Sequence, residues 1–411
     1  MNDSSLPKPS ARRSQDPQRP GAIGNNSVMR MTHLPFDSRN PYQKLLARHL
    51  AAQGVEVVPR HHPTWRMLDR LLWQWRADGV HFHWLDRFVA RPRPWWRATV
   101  DIGLMALQLA FMRLLGKKVA WTVHNLEGHE GHSLWRERAL ALLVGRASQV
   151  VFVHSDHART EVTSRFRIRK SKIAVIPHGH YMDWYPDHVE RKAARAALGL
   201  RGAQTAFLFL GNIRPYKGVT ELLKAYAAIA TPDTVLVIAG RPMDETTAAD
   251  IREAAAGRSD VHLHLGFVPD PDVQKFMKAA DVVVFPYRNT LSSGALVLAM
   301  GFGRACIAPR LGGIPEMLDA DGGVIFDPDT ADGLTMALGE ALKRKAELPA
   351  MGRRNHERAR SWSWDKVAAS TRLGYLGVRS MGSGSRRVAV PQALTGSEGR
   401  VTGRSAASRM P

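Results

Sequence analysis

The sequence predicts an α/β protein: two Rossmann-like, doubly wound domains that face each other across a cleft. Three observations lead there. Short apolar segments such as VEVVP, SQVVFVH, TAFLFLG and TVLVIAG lack the alternation of a half-solvated strand, as strands covered on both faces do. Helical stretches separate them one by one, which is the order of a parallel sheet. The pattern runs twice, interrupted by YMDWYPDHVERKAARAALGLRGAQ, and 411 residues suit two domains plus tails.

The first run opens with a strand at Ser27–His33. RNPYQKLLARHLAAQG then reads as a helix: Asn40 can cap it, Pro41 takes the first helical position and Gly54 ends it. Tyr42, Leu45, Leu46 and Leu50 recur at helical spacing, so one face is buried. Further strands are expected at VEVVP, GVHFHW, KVAWTVH, SQVVFVH and KIAVIPH. The apolar run Thr99–Leu115 contains Asp101 and Arg113 and falls short of the ~20 residues of a spanning helix, so it reads as a buried or interfacial helix. In the second run TAFLFLG, TVLVIAG, VHLHLG, DVVVFPY and RACIAP are strands. VTELLKAYAAIA, DPDVQKFMKAA, SGALVLAMG and IPEMLD are helices. The expected division is a basic tail over 1–26, a first domain over 27–182 and a linker with one short helix over 183–204. A second domain over 205–360, a closing helix over 361–377 and a basic tail over 378–411 complete it.

A formal net charge of +21 favours polyanionic partners. Much of the basic excess between Arg60 and Lys118 is interleaved with Trp65, Trp73, Trp75, Trp84, Trp95 and Trp96. Indoles prefer a bilayer interface and cations meet lipid phosphates, so this part is expected to lie on an anionic membrane. No nucleic-acid recognition motif accompanies the charge, so nucleic acid is not an expected partner. The single cysteine, Cys306, excludes an internal disulfide framework and suits a reducing compartment. The first residues lack the apolar core of a signal peptide, so a cytoplasmic place, peripheral on the membrane, is expected.

In open parallel sheets, ligands collect at the carboxyl ends of strands. After TAFLFLG, Gly211 lets the chain turn, and Asn212, Arg214 and Lys217 precede a helix; cations beside free helix amides make an anion site. The sequence is not a Walker loop. After DVVVFPY, Ser292 or Ser293 can cap a helix starting near Gly294, which offers a second phosphate grip without any carboxylate. After RACIAP, Gly312 and Gly313 allow close backbone approach, and Glu316 either complements a helix dipole or faces the cleft. KVAWTVH leads to HNLEGHEGH, which brings His124, His129 and Glu130 to the cleft side of the first sheet; without HExxH or a third ligand, acid/base work is expected there rather than zinc. KIAVIPHGH adds His178, Gly179 and His180 near the domain junction. Asp270/Asp272 and Asp327/Asp329 read as caps or turns, not as a metal-binding pair.

Taken together, NPYQKLL, TVHN, IPHGH, GNIRPYKGV, SSGALVLAMGFGRACIAP and GGIPE resemble the GT-B glycosyltransferases, and distantly the family 4 enzymes, over roughly Met29 to Tyr375. SWSWDKVAASTRLGYL is similar to the closing helix that crosses back onto the first domain in that fold. Retaining members usually carry two glutamates where this chain has Thr290 and Leu298, and an arginine where it has Asn212; Lys217 is kept and Arg214 can substitute. NPY, HNLxxHE followed by WRERAL, PHGHYxDW, IRPYKG and SSGAL resemble instead the xanthan-type GDP-mannose:glycolipid β-mannosyltransferases. The resemblance implies transfer of mannose from GDP-mannose to a polyprenyl-diphosphate-linked oligosaccharide, with inversion, in exopolysaccharide synthesis at the inner face of the cytoplasmic membrane. It implies a nucleotide-sugar substrate, no cofactor and no metal. Lys217, Arg214, Asn212, Ser292, Ser293 and Gly294 would then grip the donor diphosphate, while His178, Gly179, Gly313 and Glu316 would meet the sugar or the domain junction. Glu130, then His129 and His124, are the candidate catalytic groups, although His124 aligns with a histidine that retaining relatives place near the sugar. Rival readings are a retaining hexosyltransferase using a UDP-sugar and a non-catalytic sugar-nucleotide-binding subunit.

Overall fold

The computed structural model describes residues 28–60, 76–89, 94–126, 128 and 134–377. Their strands form two six-stranded, all-parallel sheets. The first holds β1 (Met29–Leu34), β2 (Val55–Pro59), β3 (Gly79–Phe82), β4 (Lys118–Thr122), β5 (Val150–Val153) and β6 (Ile173–Val175), in the order β2-β1-β3-β4-β5-β6. The second holds β7 (Thr205–Leu210), β8 (Thr234–Gly240), β9 (Val261–Leu265), β10 (Val282–Val284), β11 (Ala305–Pro309) and β12 (Gly323–Phe326), in the order β12-β11-β10-β7-β8-β9. Each order reverses once, between β1 and β3 in the first sheet and between β7 and β10 in the second. A crevice opens at such a reversal, because successive crossover helices leave toward opposite faces.

The first helix forms as its sequence demands. Pro41–Ala52 is capped by Asn40, whose side chain accepts from the Tyr42 amide, and Tyr42, Leu45, Leu46 and Leu50 are buried. Gly54 takes φ +75° to turn the chain into β2. The apolar run after residue 94 becomes a helix over Trp95–Leu114 with Met105, Leu109 and Met112 inward. Its other face stays in solvent: Trp95, Trp96, Val100, Leu107 and Leu114 are all exposed. Among the described residues no helix is long and apolar enough to cross a membrane.

β12 was not legible beforehand. Its four residues sit at a sheet edge with Val324 and Ile325 only partly covered, so the short GVIF segment lacks the signature of a central strand. Its first residue must be glycine, since a Cβ on Gly323 would lie 1.9 Å from the Cys306 carbonyl oxygen of β11. Between the sheets, the short helix Arg191–Ala197 packs into the second domain through Ala194, with Leu198 and Leu200 following. The buried Arg195 donates there to the carbonyls of Ala279, Arg201 and Gln204.

The last described helix, Trp364–Tyr375, follows the second domain in sequence but lies on the first. Trp364, 1% exposed, packs against Tyr42 with ring centroids 5.3 Å apart and donates its indole N–H to the His180 carbonyl. Aromatic burial of this size dominates local energetics. Trp364→Ala is therefore expected to cost roughly 3–5 kcal/mol in urea denaturation; a loss below about 1 kcal/mol, the size of an ordinary surface effect, would remove this helix from the stabilising core.

Candidate active site

The reversal between β7 and β10 places two strand-to-helix turns side by side. From the end of β7 the chain runs through Gly211 at φ +145°, Asn212, Arg214 and Lys217 into the helix Val219–Ala227. Gly218, at φ +66°, joins them; a Cβ there would lie 2.0 Å from the Pro286 carbonyl oxygen after β10. From β10 the chain runs through Tyr287 to Ser293, which caps the helix Gly294–Gly301 by accepting from the Leu296 amide. Ser293 and not Ser292 is the cap; the Ser292 carbonyl instead accepts from Thr290.

Lys217 is the cation at this junction. The residue is half-buried, and its Nζ sits 5.5 Å from the Tyr287 ring centroid. No carboxylate pairs with it among the described residues. Burial, with Arg214 nearby, lowers its pKa to about 8. At the two positions where the retaining pattern carries acids, Thr290 turns its hydroxyl onto backbone and Leu298 packs against the second core. This side of the cleft therefore offers positive charge and amides; its nearest carboxylate, Glu221 in the first turn of the helix after Lys217, is paired with Arg288.

The first domain presents imidazoles. His33 is the penultimate residue of β1, His81 and His83 lie on and after β3, His124 follows β4, His154 follows β5 and His178 follows β6. All are buried. Burial is the leading cause that lowers every one of their pKa values, to about 3 for His33 and for His178. The row is thus neutral across the physiological range, and a neutral imidazole is donor at one nitrogen and acceptor at the other. Trp84 covers His124 in parallel stacking at 4.1 Å, and Tyr42 touches His83, His124, His154 and His178. His154 donates from Nδ1 to the Ile176 carbonyl, which leaves its buried Nε2 as an acceptor without a partner.

The two domains meet at this row. A Cβ on Gly294 would lie 3.1 Å from the Tyr181 hydroxyl and 3.3 Å from His178 Nε2, so the helix start abuts the imidazoles. A Cβ on Gly179 would strike the Trp364 indole at 2.5 Å, and one on Gly313 would meet the Ser155 side chain at 2.7 Å. Glu316 crosses the junction: its carboxylate accepts from the amides of Asp156 and His157 at 2.8 and 2.7 Å. It thereby caps a helix of the first domain, Asp156–Phe166, from the second. Of the two readings its sequence left open, it faces the opposite domain. Asp270 lies in a first helical turn and accepts from the Trp184 indole, and Asp327 closes a local turn to Asp329, in line with caps and turns.

His129 and Glu130 lie outside the described residues, as do Trp65, Trp73 and Trp75. His33, His81, His83 and His154 were not singled out from sequence. The HFH alternation of GVHFHW was the available signal, because residues two apart on a strand point the same way. His33, His81 and His83 also come close enough to be weighed as metal ligands, with donor atoms within 4.8 Å of one another. Their nitrogens are already engaged, however. His33 and His83 bond each other at 3.2 Å, and His81 bonds Tyr375 and Thr122 at 2.6 and 2.7 Å.

Comparison with known proteins agrees with this geometry. Residues 204–344 match the family described as "Glycosyl transferases group 1". The chain is 28% identical over 291 residues to a GDP-mannose:glycolipid 4-beta-D-mannosyltransferase of Xanthomonas campestris pv. campestris, covering 71% of this chain and 76% of that protein. It is 28% identical over 238 residues to a D-inositol 3-phosphate glycosyltransferase of Mycolicibacterium gilvum, covering 57% of this chain and 52% of that protein. Among solved structures, sucrose-phosphate synthase of Thermosynechococcus elongatus matches with TM-score 0.65 at 17% identity, over 85% of this chain and 98% of that one. Anabaena HepE in complex with UDP-glucose matches with TM-score 0.66 at 14% identity, over 85% and 99%. The fold is GT-B.

The uncompensated Lys217 has a pH signature. Its folded pKa lies below the unfolded value of 10.5, so between pH 8 and 10.5 the unfolded chain binds more protons and stability rises with pH. Below pH 8 the penalty is fully present, at about 3 kcal/mol. Lys217→Met is expected to stabilise the ligand-free protein at pH 7 by that order and to flatten the rise from pH 8 to 10.5 in denaturant titrations.

Proposed function

We propose that this chain, a glycosyltransferase of GT-B fold, moves mannose from GDP-mannose onto a polyprenyl-diphosphate-linked oligosaccharide in exopolysaccharide synthesis, with inversion. The observation that carries the reading is the division of the cleft. A cationic turn whose Lys217 has no carboxylate partner among the described residues suits a diphosphate, and a neutral, hydroxyl-matching imidazole row suits a sugar. The Xanthomonas relative's name supplies the donor and the glycolipid class of acceptor.

Transfer needs charge stabilisation where the nucleoside diphosphate leaves. Lys217, Arg214 and the amides following the Ser293 cap supply it without a metal, with Asn212 and Ser292 flanking. Inversion needs a base on the far side of the sugar from the leaving group, within reach of the acceptor hydroxyl. Glu130 is the first choice and His129 the second. Thr290 and Leu298 leave the second domain with no carboxylate to serve a retaining route at those positions.

The acceptor reaches this cleft from a membrane. The helix Trp95–Leu114 carries an exposed apolar face of Trp95, Trp96, Leu107 and Leu114, with Arg97 over the Trp96 ring at 4.9 Å. Indole and guanidinium side by side match the interface of an anionic bilayer. The proposed location is the inner face of the cytoplasmic membrane, with the protein peripheral to it.

Lys217→Ala is expected to lower turnover by ~10²–10³ while the protein stays folded, and Glu130→Gln to abolish transfer with donor binding kept. Proton NMR of the product is expected to show the anomeric configuration opposite to the donor's. A retained configuration would support the UDP-sugar reading instead, and selective thermal stabilisation by GDP over UDP would name the base. Flotation with anionic liposomes at low salt is expected to carry the protein upward, and Trp95→Ser with Trp96→Ser to weaken it; no flotation of the parent protein would remove the membrane from the reading.

A further inference from the structure

His154 follows β5 and stands at the joint between the domains. Gly313 of the second domain lies against Ser155, the residue after it, and Glu316 accepts from the amides of Asp156 and His157, the next two. The His154 ring also belongs to the imidazole row: its centroid lies 5.2 Å from that of His178, 5.4 Å from His124 and 5.7 Å from Tyr42. It is 6% exposed, and its Nε2 has no hydrogen-bond partner among the described residues. Buried polar atoms are nearly always paired, so this one needs an explanation.

The tautomer of His154 is fixed locally. Nδ1 lies 3.0 Å from the Ile176 carbonyl oxygen, which can only accept, so Nδ1 carries the proton. Burial lowers the pKa of the ring, so no second proton sits on Nε2 at neutral pH, and that nitrogen is an acceptor alone. His178 is built the same way. Its Nδ1 donates to the Gly179 carbonyl at 2.9 Å, and its Nε2 is approached by the Tyr181 hydroxyl at 3.4 Å, longer than an ordinary bond. A Cβ on Gly294 would lie 3.3 Å from His178 Nε2, so this second acceptor borders the helix start on the diphosphate side. Two bare nitrogens on neighbouring rings can take hydroxyl protons and can give none. Of the parts of the proposed ligands, a diphosphate ester brings only acceptors and an aliphatic tail brings neither, so the group that completes His154 is a hydroxyl. With Thr290 and Leu298 in place of acids, acceptors for sugar hydroxyls must come from outside those positions of the second domain.

We propose that His154 is a specificity-determining residue: its Nε2 accepts a hydrogen bond from one hydroxyl of the transferred sugar, with His178 Nε2 beside it as a second acceptor. The identity of the ligand rests on the proposed function; the protonation of the two Nδ1 atoms rests on their carbonyl partners. The domain contacts at Ser155 and at Gly294 flank the pair, so the hydroxyl enters when those contacts part and is enclosed when they close. A site built to bond a hydroxyl rejects an analogue that lacks it, because its own buried group is then left unpaired. His154 therefore selects among sugars by the position of a hydroxyl.

The test uses full-length protein labelled with ring-15N histidine at pH 7, to which GDP, UDP, GDP-mannose or UDP-glucose is added. Two-bond correlations separate protonated from bare nitrogens, and His154→Gln assigns the resonance. The expected result is a protonated Nδ1 and a bare Nε2 on His154. Nε2 then moves toward the position of a hydrogen-bonded acceptor when a nucleotide sugar binds, and not when GDP or UDP binds. A protonated Nε2 in the free protein, the same shift with a nucleotide alone, or no shift with either nucleotide sugar would overturn the inference. In the transfer assay His154→Asn keeps an amide donor for the Ile176 carbonyl and loses the acceptor, and kcat/KM for the donor is expected to fall about tenfold, as for one hydrogen bond. His154→Gln, whose carbonyl oxygen reaches the place of Nε2, is expected to recover most of that loss. GDP-mannose analogues lacking one sugar hydroxyl each locate the partner. At one position the loss seen with the parent protein disappears in His154→Asn, as coupled groups require. Losses that add at every position would leave His154 a structural role and overturn the inference. The parent spectra decide the matter if His154→Asn does not fold. A shift with UDP-glucose and none with GDP-mannose would sink the proposed donor and leave the role of His154 intact.

Discussion

The packing of Trp364 against Tyr42 is the contact on which the arrangement of the cleft depends. Trp364 opens a helix that belongs in sequence to the second domain, yet its indole is buried under the first, with its N–H on the His180 carbonyl. Tyr42 on the other side touches four of the imidazoles, and Tyr375 at the far end of the same helix enters their hydrogen-bond series. One docked helix thus fastens the two domains and completes the interior of the sugar side. Glu316 adds a second fastening, since two backbone amides of the first domain have a carboxylate of the second as acceptor. The first contact is large and apolar, the second small and directional, and together they set both the closeness and the register of the two sheets.

The cleft separates its charges. Lys217 stands at the carboxyl end of one sheet with no carboxylate paired to it among the described residues, and the opposing sheet end is lined by imidazoles that burial keeps uncharged. Neutral rings cost less to bury than cations and serve as donor and acceptor at once, which suits hydroxyls. A cation held without a partner is unfavourable for the empty protein and favourable once an anion arrives. Binding of the anionic end of a ligand therefore relieves a strain that the fold carries when empty.

Much of the fold was legible because its strands are apolar on both faces and its helices carry ordinary signals. Asn40, Pro41 and Gly54 mark one helix so plainly that its cap and its end fall where local chemistry puts them. β12 escaped because an edge strand of four half-covered residues looks like any apolar turn. The diphosphate side was legible for a related reason: its parts lie on two short segments, Gly211–Lys217 and Ser292–Gly294, each readable alone. The histidine row was not. His33, His83 and His124 come from three strands separated by long stretches of chain, and nothing local in any of them records that the others are near.

By itself the sequence determined the elements other than β12, their parallel pairing, the missing acids at Thr290 and Leu298, and the basic turn at Lys217, because each of these is a property of residues within one or two turns of chain. Only the tertiary structure decided that Ser293 caps in place of Ser292, that Glu316 serves the opposite domain, and that Thr122, His81, Tyr375, His33, His83 and His124 meet in one buried row of hydrogen bonds. Those outcomes depend on distances between residues remote in sequence, which the order of strands in the sheets and the docking of the closing helix create.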